Sequence, residues 1–204
     1  MKHLVKFIFA TILFSLTLSA PSSALALELK GVKVDETAQV GGNALVLNGA
    51  GIRTKMVFKV YVAALYLTQK QTDANAVISD TGNKRVSMHF LRELSSEALL
   101  KGMNEGFTDN NSAAEMAAIE PQMKLFRNMM TSAKEVKKGD MIVLDFTSAG
   151  TQVNINGKSL GQVEGVAFNQ ALLRVWLGGN PVDVSLKKAM LGQQAPIDVL
   201  KASI

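Results

Sequence analysis

The sequence contains no cysteine and only two histidines, and these two shortages exclude several kinds of site. Without cysteine the protein has no disulfide, no thiol nucleophile and no thiolate metal site. Because His3 belongs to an N-terminal targeting segment, His89 is the single histidine of the remaining chain. A site with several histidine ligands is therefore excluded, and no motif supports a Ser–His–Asp triad around His89. A glycine-rich phosphate loop is also missing, so we expect neither a metal nor a cofactor.

The first 26 residues have the three parts of a secretory signal peptide. Lys2 and Lys6 form a basic start, and residues 7–18 are an apolar core too short to cross a membrane. Ala24-Leu25-Ala26 places small residues at the two positions that a signal peptidase reads. The sequence thus predicts cleavage after Ala26 and a periplasmic or secreted protein. Residues 27–204 have the length of a single domain, with no predicted membrane-spanning segment.

The balance of charge gives no indication of a nucleic-acid partner. Loss of Lys2 and Lys6 with the signal peptide lowers the formal net charge from +5 to +3. Nucleic-acid-binding surfaces cluster basic residues and interleave them with aromatic residues. The remaining basic residues of this chain are scattered and are not interleaved in this way. We therefore expect no nucleic acid to bind, and the sequence leaves the oligomeric state open.

Negative charge is absent from a long central stretch. Residues 37–72 contain no Asp or Glu, yet they contain Arg53, Lys55, Lys59 and Lys70. An arginine is always charged, and burying it unpaired is costly. Arg53 is therefore exposed, paired with a distant acid, or positioned for an anionic or carbonyl ligand.

Two adjoining segments surround Arg53. Asn48-Gly49 and Gly51 are typical turn residues and predict a turn before Arg53. Residues 56–67 are rich in β-branched and aromatic side chains, which predicts a central strand that is covered on both faces. The turn between Arg53 and Tyr61 prevents a firm assignment of the two side chains to one face.

The rest of the chain predicts an α+β fold, with helices on one face of an antiparallel sheet. After the first strands, Ser95 or Ser96 begins one helix, and a capping box at Ser112 begins a second helical stretch. Pro121 predicts a kink or two abutting helices in that stretch. An Asn156-Gly157 hairpin follows, and then a helical pattern over residues 163–177.

Two segments in this order resemble the chalcone isomerase superfamily. Residues 48–53 (NGAGIR) with residues 58–67 (FKVYVAALYL) resemble its glycine–arginine turn and core strand, and residues 171–182 (ALLRVWLGGNPV) resemble a later segment. The resemblance runs from about residue 29 to residue 192 and is greatest to the bacterial chalcone isomerase-like and fatty-acid-binding members. It implies an open-faced β-sandwich with a cleft between the large sheet and the helical layer.

The resemblance implies a binding protein for a fatty acid or a similar amphipathic anion. In the fatty-acid-binding relatives an arginine and a tyrosine at positions similar to Arg53 and Tyr61 hold the carboxylate. Tyr66 competes for the tyrosine role, since an insertion in the turn would shift the match. Met103 and Phe107 are expected to line the apolar slot. Methionines that only fill the core remain an alternative.

An isomerase of the chalcone-to-flavanone type is the alternative function. Arg53 matches the arginine that polarises the substrate carbonyl in those enzymes. Tyr61 occupies the place of the family's threonine, and the helix that begins near Leu94 has no tyrosine. Asn104 lies on that helix, but Gly102 is an equally good match to the family's asparagine. Each lost donor removes roughly 2–4 kcal/mol of transition-state stabilisation, which disfavours efficient cyclisation.

Two readings without a ligand also stay open. Arg53 could tie its turn to backbone carbonyls, and the protein could be a structural or interaction module of the cell envelope. The second of these readings predicts that no small molecule is bound and that Arg53 can be replaced freely.

Overall fold

A computed structural model describes residues 27–193. The predicted signal peptide, residues 1–26, lies outside the described residues, as do residues 194–204. None of the described helices has the length and hydrophobicity that a bilayer crossing requires.

Eleven strands lie within residues 27–193. They are β1 (Leu27–Leu29), β2 (Val32–Val34), β3 (Thr37–Val40), β4 (Asn43–Lys55), β5 (Phe58–Leu67), β6 (Lys84–Phe90), β7 (Leu94–Ser95), β8 (Glu135–Val136), β9 (Met141–Thr147), β10 (Gly150–Ile155) and β11 (Lys158–Glu164). The same part of the chain forms six helices. They are α1 (Ala74–Ser79), α2 (Ser96–Asn110), α3 (Ala113–Ala118), α4 (Glu120–Thr131), α5 (Val166–Leu177) and α6 (Val184–Met190).

Seven of these strands form one antiparallel sheet in the order β11-β10-β9-β6-β5-β4-β3. The larger hydrophobic core lies between this sheet and the helices and contains Tyr61, Phe107 and Trp176. A smaller core lies on the other face, where the β1–β2 hairpin contributes Leu29 and Val34. The predicted α+β fold, with an antiparallel sheet and helices on one face, is confirmed.

The helix signals in the sequence are local and mostly correct. Ser95 is the N-cap of α2, and its hydroxyl accepts a hydrogen bond from the Ala98 amide. The capping box at Ser112 is present, with Glu115 as its partner. Pro121 lies in the first turn of α4, where its missing N–H costs nothing, so the stretch forms two abutting helices. The helix predicted over residues 163–177 is wrong at its start, since residues 158–164 form β11.

The turn predicted before Arg53 is wrong. Asn48, Gly49 and Gly51 lie inside the 13-residue strand β4, which pairs with β5 along its length and has a bulge between Leu47 and Gly49. The reversal of the chain comes later, at Met56 and Val57, between the paired residues 55 and 58. The predicted central strand is correct from Val60 to Leu67, all of which are buried, but its first residues are exposed.

Candidate functional site

The glycines of β4 allow helix α6 to pack directly on the strand. A Cβ atom on Gly49 would lie 2.0 Å from the carbonyl oxygen of Ala189, and one on Gly51 would lie 2.7 Å from the Ala189 side chain. Neither glycine has a positive φ. They are therefore required for close approach, and not for the turn geometry that the sequence suggested.

Helix α6 also holds the end of β4. The carboxylate of Asp183 caps α6 by accepting from the Ser185 and Leu186 amides, and its other oxygen accepts from the Thr54 amide at 2.8 Å. Arg53 is the residue before this anchor. Because side chains alternate along a strand, Arg53 shares the helix-facing side of β4 with Gly49 and Gly51.

Arg53 lies directly across from Tyr61 in the β4–β5 ladder. Its guanidinium carbon is 5.5 Å from the centre of the Tyr61 ring, within reach of a cation–π interaction. The Nε atom is buried, and no hydrogen-bond partner for it exists among residues 27–193. None of the ion pairs in that range includes Arg53. The half-buried guanidinium is thus held against the Tyr61 side chain, and its Nε is a donor left over for a ligand.

Tyr61 supports the arginine from within the core. Its hydroxyl accepts a hydrogen bond from the indole nitrogen of Trp176 at 3.0 Å, and its ring meets the edge of Phe90. Burial raises the pKa of Tyr61 above its ordinary value of 10, although the positive charge of Arg53 lowers it. Tyr61 is therefore a neutral phenol at physiological pH.

Arg53 forms part of the wall of a cavity of about 180 Å³ between the β4–β5 hairpin and α2, which we call the Arg53 cavity. The wall is mostly apolar, with three basic side chains and no acidic one. It consists of Arg53, Lys55, Met56, Phe58, Val60, Arg92, Leu94, Ala98, Leu99 and Gly102. An apolar recess with several cations and no carboxylate is suited to one end of an amphipathic anion.

The residues predicted to form the site are only partly brought together. Tyr61 lies beside Arg53 but behind the cavity wall. Met103, Asn104 and Phe107 are on the predicted helix but do not line the cavity. Met103 and Phe107 are buried in the larger core, where the Phe107 ring is 6.5 Å from that of Phe126.

The structure does not bring Tyr66 to the Arg53 cavity. It belongs to the smaller core, on the opposite face of the sheet from Tyr61. Burial, together with the negative charge of Asp35, raises the pKa of Tyr66 to about 12. The odd spacing of the two tyrosines along β5 explains the result, because residues five apart on a strand point to opposite faces.

The face of α2 that lines the cavity is not the face that the sequence predicted. Ala98, Leu99 and Gly102 line it, and a Cβ atom on Gly102 would lie 3.5 Å from Nη2 of Arg53. Sequence reasoning did not place Ala98, Leu99 or the rim residue Arg92 at the site, and it named Gly102 only as a match to the family's asparagine. A glycine in the interior of a helix is itself a signal, since it costs stability and usually marks a close approach.

The other candidates for chemistry lie elsewhere. His89 is on β6, across from Val62, whose side chain packs in the smaller core. Among the described residues no group of three or more acidic or histidine side chains could hold a metal ion.

Comparison with known proteins agrees with this fold. A family model described as chalcone isomerase-like matches residues 26–192. Among solved structures, the fatty-acid binding protein AtFAP1 of Arabidopsis thaliana is similar, with a TM-score of 0.60 and 12% sequence identity, over 79% of this chain and 92% of that one. A search of curated proteins gave no match. Since the family model covers most of the sequence, the chain belongs to the chalcone isomerase-like family.

Proposed function

We propose that this protein binds a fatty acid or a similar amphipathic anion without transforming it, and that Arg53 holds the head group. The observation that carries the proposal is the guanidinium of Arg53, whose buried Nε has no partner within residues 27–193 and which borders an apolar cavity. A carboxylate would supply the missing acceptors in a two-pronged, charge-assisted contact. The fold shared with a plant fatty-acid binding protein supports this function.

The size of the cavity limits how much of the ligand it holds. Its volume of about 180 Å³ is below the roughly 300–1,000 Å³ typical of pockets for drug-sized ligands. The cavity therefore accepts the head group and the first part of the chain. The remaining hydrocarbon leaves through the rim at Met56 and Phe58, whose side chains line the cavity and are exposed.

The isomerase alternative has less support from the cavity wall. Arg53 and two further cations could polarise a carbonyl, but the wall has no hydroxyl, amide, imidazole or carboxylate side chain to assist proton transfer. We expect chalcone consumption by the purified protein to stay near the buffer rate. A turnover approaching the roughly 10 per second of a typical enzyme would favour the isomerase.

The binding proposal is tested by titrating a long-chain fatty acid into wild type, Arg53→Ala and Arg53→Lys in a calorimeter. A hydrogen bond to a charged group contributes about 1.5–3 kcal/mol, so Arg53→Ala should weaken binding roughly 10- to 150-fold. Arg53→Lys should recover only part of the loss, because an ammonium cannot make the planar contact.

Two further variants make the test specific to the cavity. Lys158→Ala is the matched control, since it removes an exposed cation of β11 that does not line the cavity, and should change affinity little. Gly102→Leu should block the cavity beside Arg53. Equal affinities of wild type, Arg53→Ala and Gly102→Leu would contradict the proposal.

We also propose that the protein is exported before it binds its ligand. The support is the signal-peptide pattern of residues 1–26 alone.

A further inference from the structure

The turn between β4 and β5 presents three consecutive apolar side chains to solvent. Met56 is 88% exposed, Val57 84% and Phe58 53%. The sequence predicted that these residues belong to a strand covered on both faces, so their exposure is a result of the tertiary structure. We call residues 56–58 the hairpin tip. Contiguous exposed apolar side chains of this kind mark an interaction surface.

The backbone conformation of the hairpin tip is unfavourable for the residue found there. Met56 has a φ of +57°, in the left-handed region that a side chain resists. Two-residue hairpin turns normally place glycine, asparagine or aspartate at such a position. A large apolar residue there is neither the best turn former nor a part of the core, which points to a function for the side chain.

Positive charge surrounds the hairpin tip. Lys55 and Lys59 flank it in the sequence, and the guanidinium of Arg92 lies 4.4 Å above the ring of Phe58. Two acids lie near the tip: Glu105 is 3.8 Å from Lys55, with both side chains about half exposed, and the Asp183 carboxylate accepts from the Thr54 amide. The exposed Lys55–Glu105 pair is weak and is readily exchanged for another anion. The three apolar side chains of the tip are therefore surrounded by Lys55, Lys59 and Arg92, which we call the cationic collar.

We propose that the hairpin tip docks on an anionic lipid bilayer. Met56, Val57 and Phe58 enter the boundary between head groups and acyl chains, while Lys55 and Arg92 meet the phosphates. Since Met56 and Phe58 also form the rim of the Arg53 cavity, docking turns the mouth of the cavity towards the bilayer. Three apolar side chains form a small anchor, so the contact is reversible.

The charge around the tip favours a bilayer over a second copy of this chain. In a two-fold symmetric dimer through the tip, each cationic collar would face the same collar of its partner. An anionic surface instead complements it. The inference rests on the hairpin tip alone and does not depend on the identity of the ligand in the cavity.

The test measures flotation of residues 27–204, which contain both cores, with lipid vesicles. The first 26 residues are left out because their apolar core would bind vesicles by itself. One set of vesicles is phosphatidylcholine alone, and the other contains an equal amount of phosphatidylglycerol. Wild type should bind the anionic vesicles more tightly, by roughly five-fold for each cation that reaches the surface, and salt should weaken this preference.

The decisive variant is Met56→Asn combined with Val57→Gly. Asparagine tolerates the positive φ of position 56 better than methionine, and glycine adopts any φ at position 57, so this variant should fold at least as well as wild type. Its binding to anionic vesicles should fall about 10-fold or more, because two exposed apolar side chains are lost. Leu125→Ser is the matched control, since it removes an exposed apolar residue of α4 and should leave binding unchanged.

The flotation and sedimentation results distinguish docking on a bilayer from dimer formation and from ligand binding in the Arg53 cavity. Equal vesicle binding by wild type and the Asn-Gly variant, or no preference for phosphatidylglycerol, would overturn it. A dimer in sedimentation that the Asn-Gly variant abolishes, without vesicle binding, would assign the tip to a second copy. Arg53→Ala should float like wild type, so failure of the ligand proposal would leave vesicle docking intact.

Discussion

The guanidinium of Arg53 lies against the bare backbone of Gly102. Its Nη1 and Nη2 atoms are 3.6 and 3.5 Å from the point where a Cβ atom of residue 102 would sit. These are ordinary van der Waals distances, so an alanine would fit without displacing the arginine. One turn further along α2, a Cβ atom on Gly106 would lie only 2.7 Å from Cγ1 of Val175. The two glycines of one helix therefore have different reasons to lack a side chain.

We predict that Gly102→Ala stabilises the protein by up to about 1 kcal/mol, since alanine is the better helix former. Gly106→Ala gains the same helix term but overpacks the core, which typically costs about 1–3 kcal/mol. The difference between the two free energies of unfolding, measured by denaturant titration, should therefore be about 1–3 kcal/mol. Equal stability of the two variants would contradict the packing described for α2 and α5.

We predict that Arg53→Ala leaves the ligand-free protein as stable as wild type or more stable. The guanidinium has no ion pair within residues 27–193, and its removal relieves a buried Nε without a partner. Thermal melting without ligand checks this. A large fall in melting temperature would instead support a structural role for Arg53 in the hairpin.

Arg85→Ala is the comparison for that measurement. Arg85 makes a two-pronged contact with Asp145 and donates to the carbonyl oxygen of Gln39. Its loss leaves the mostly buried carboxylate of Asp145 without its partner, and should cost about 1–3 kcal/mol. The contrast between Arg53 and Arg85 separates an arginine positioned for a ligand from one that stabilises the sheet.

We predict that His89 makes the protein less stable in mild acid. Burial lowers the pKa of His89 below its ordinary 6.5, against the opposing effect of the negative charge of Asp35. As pH falls below 6.5, the unfolded chain takes up a proton that the folded protein resists, so stability decreases until His89 itself is protonated. Denaturant titrations between about pH 8 and pH 5 should show this loss, and His89→Gln should reduce it.

We predict that the protein isolated from its source cells begins at Leu27 or within a few residues of it. The basic start, the apolar core and Ala24-Leu25-Ala26 carry this expectation. N-terminal sequencing checks it, and a mature chain that still carries Met1 would show that the segment is not removed.

Local chemistry in the sequence determined most of the elements. The apolar run that ends at Leu67, the Asn156-Gly157 turn, the caps at Ser95 and Ser112 and the break at Pro121 each depend on a few neighbouring residues. Such signals act through backbone propensity and hydrogen bonds within one or two turns, which a sequence displays directly. The order of these elements indicated the α+β class, which the sheet and its helical layer confirm, and the family resemblance narrowed it to the chalcone isomerase fold.

The tertiary structure decided which residues share a surface. Two bulges in the β4–β5 ladder, one in each strand, set the register that places Arg53 across from Tyr61, and the packing of α6 explains the glycines that suggested a turn. The packing of α2 against α4 and α5 buries Met103 and Phe107, while Leu99 and Gly102 of α2 line the Arg53 cavity. The identity of an apolar residue does not show whether its side chain will lie in a core, in a cavity wall or in solvent. Its environment depends on segments that are distant in the sequence. Met56 and Leu65 are both apolar residues of one apolar run, yet the fold leaves Met56 exposed and buries Leu65.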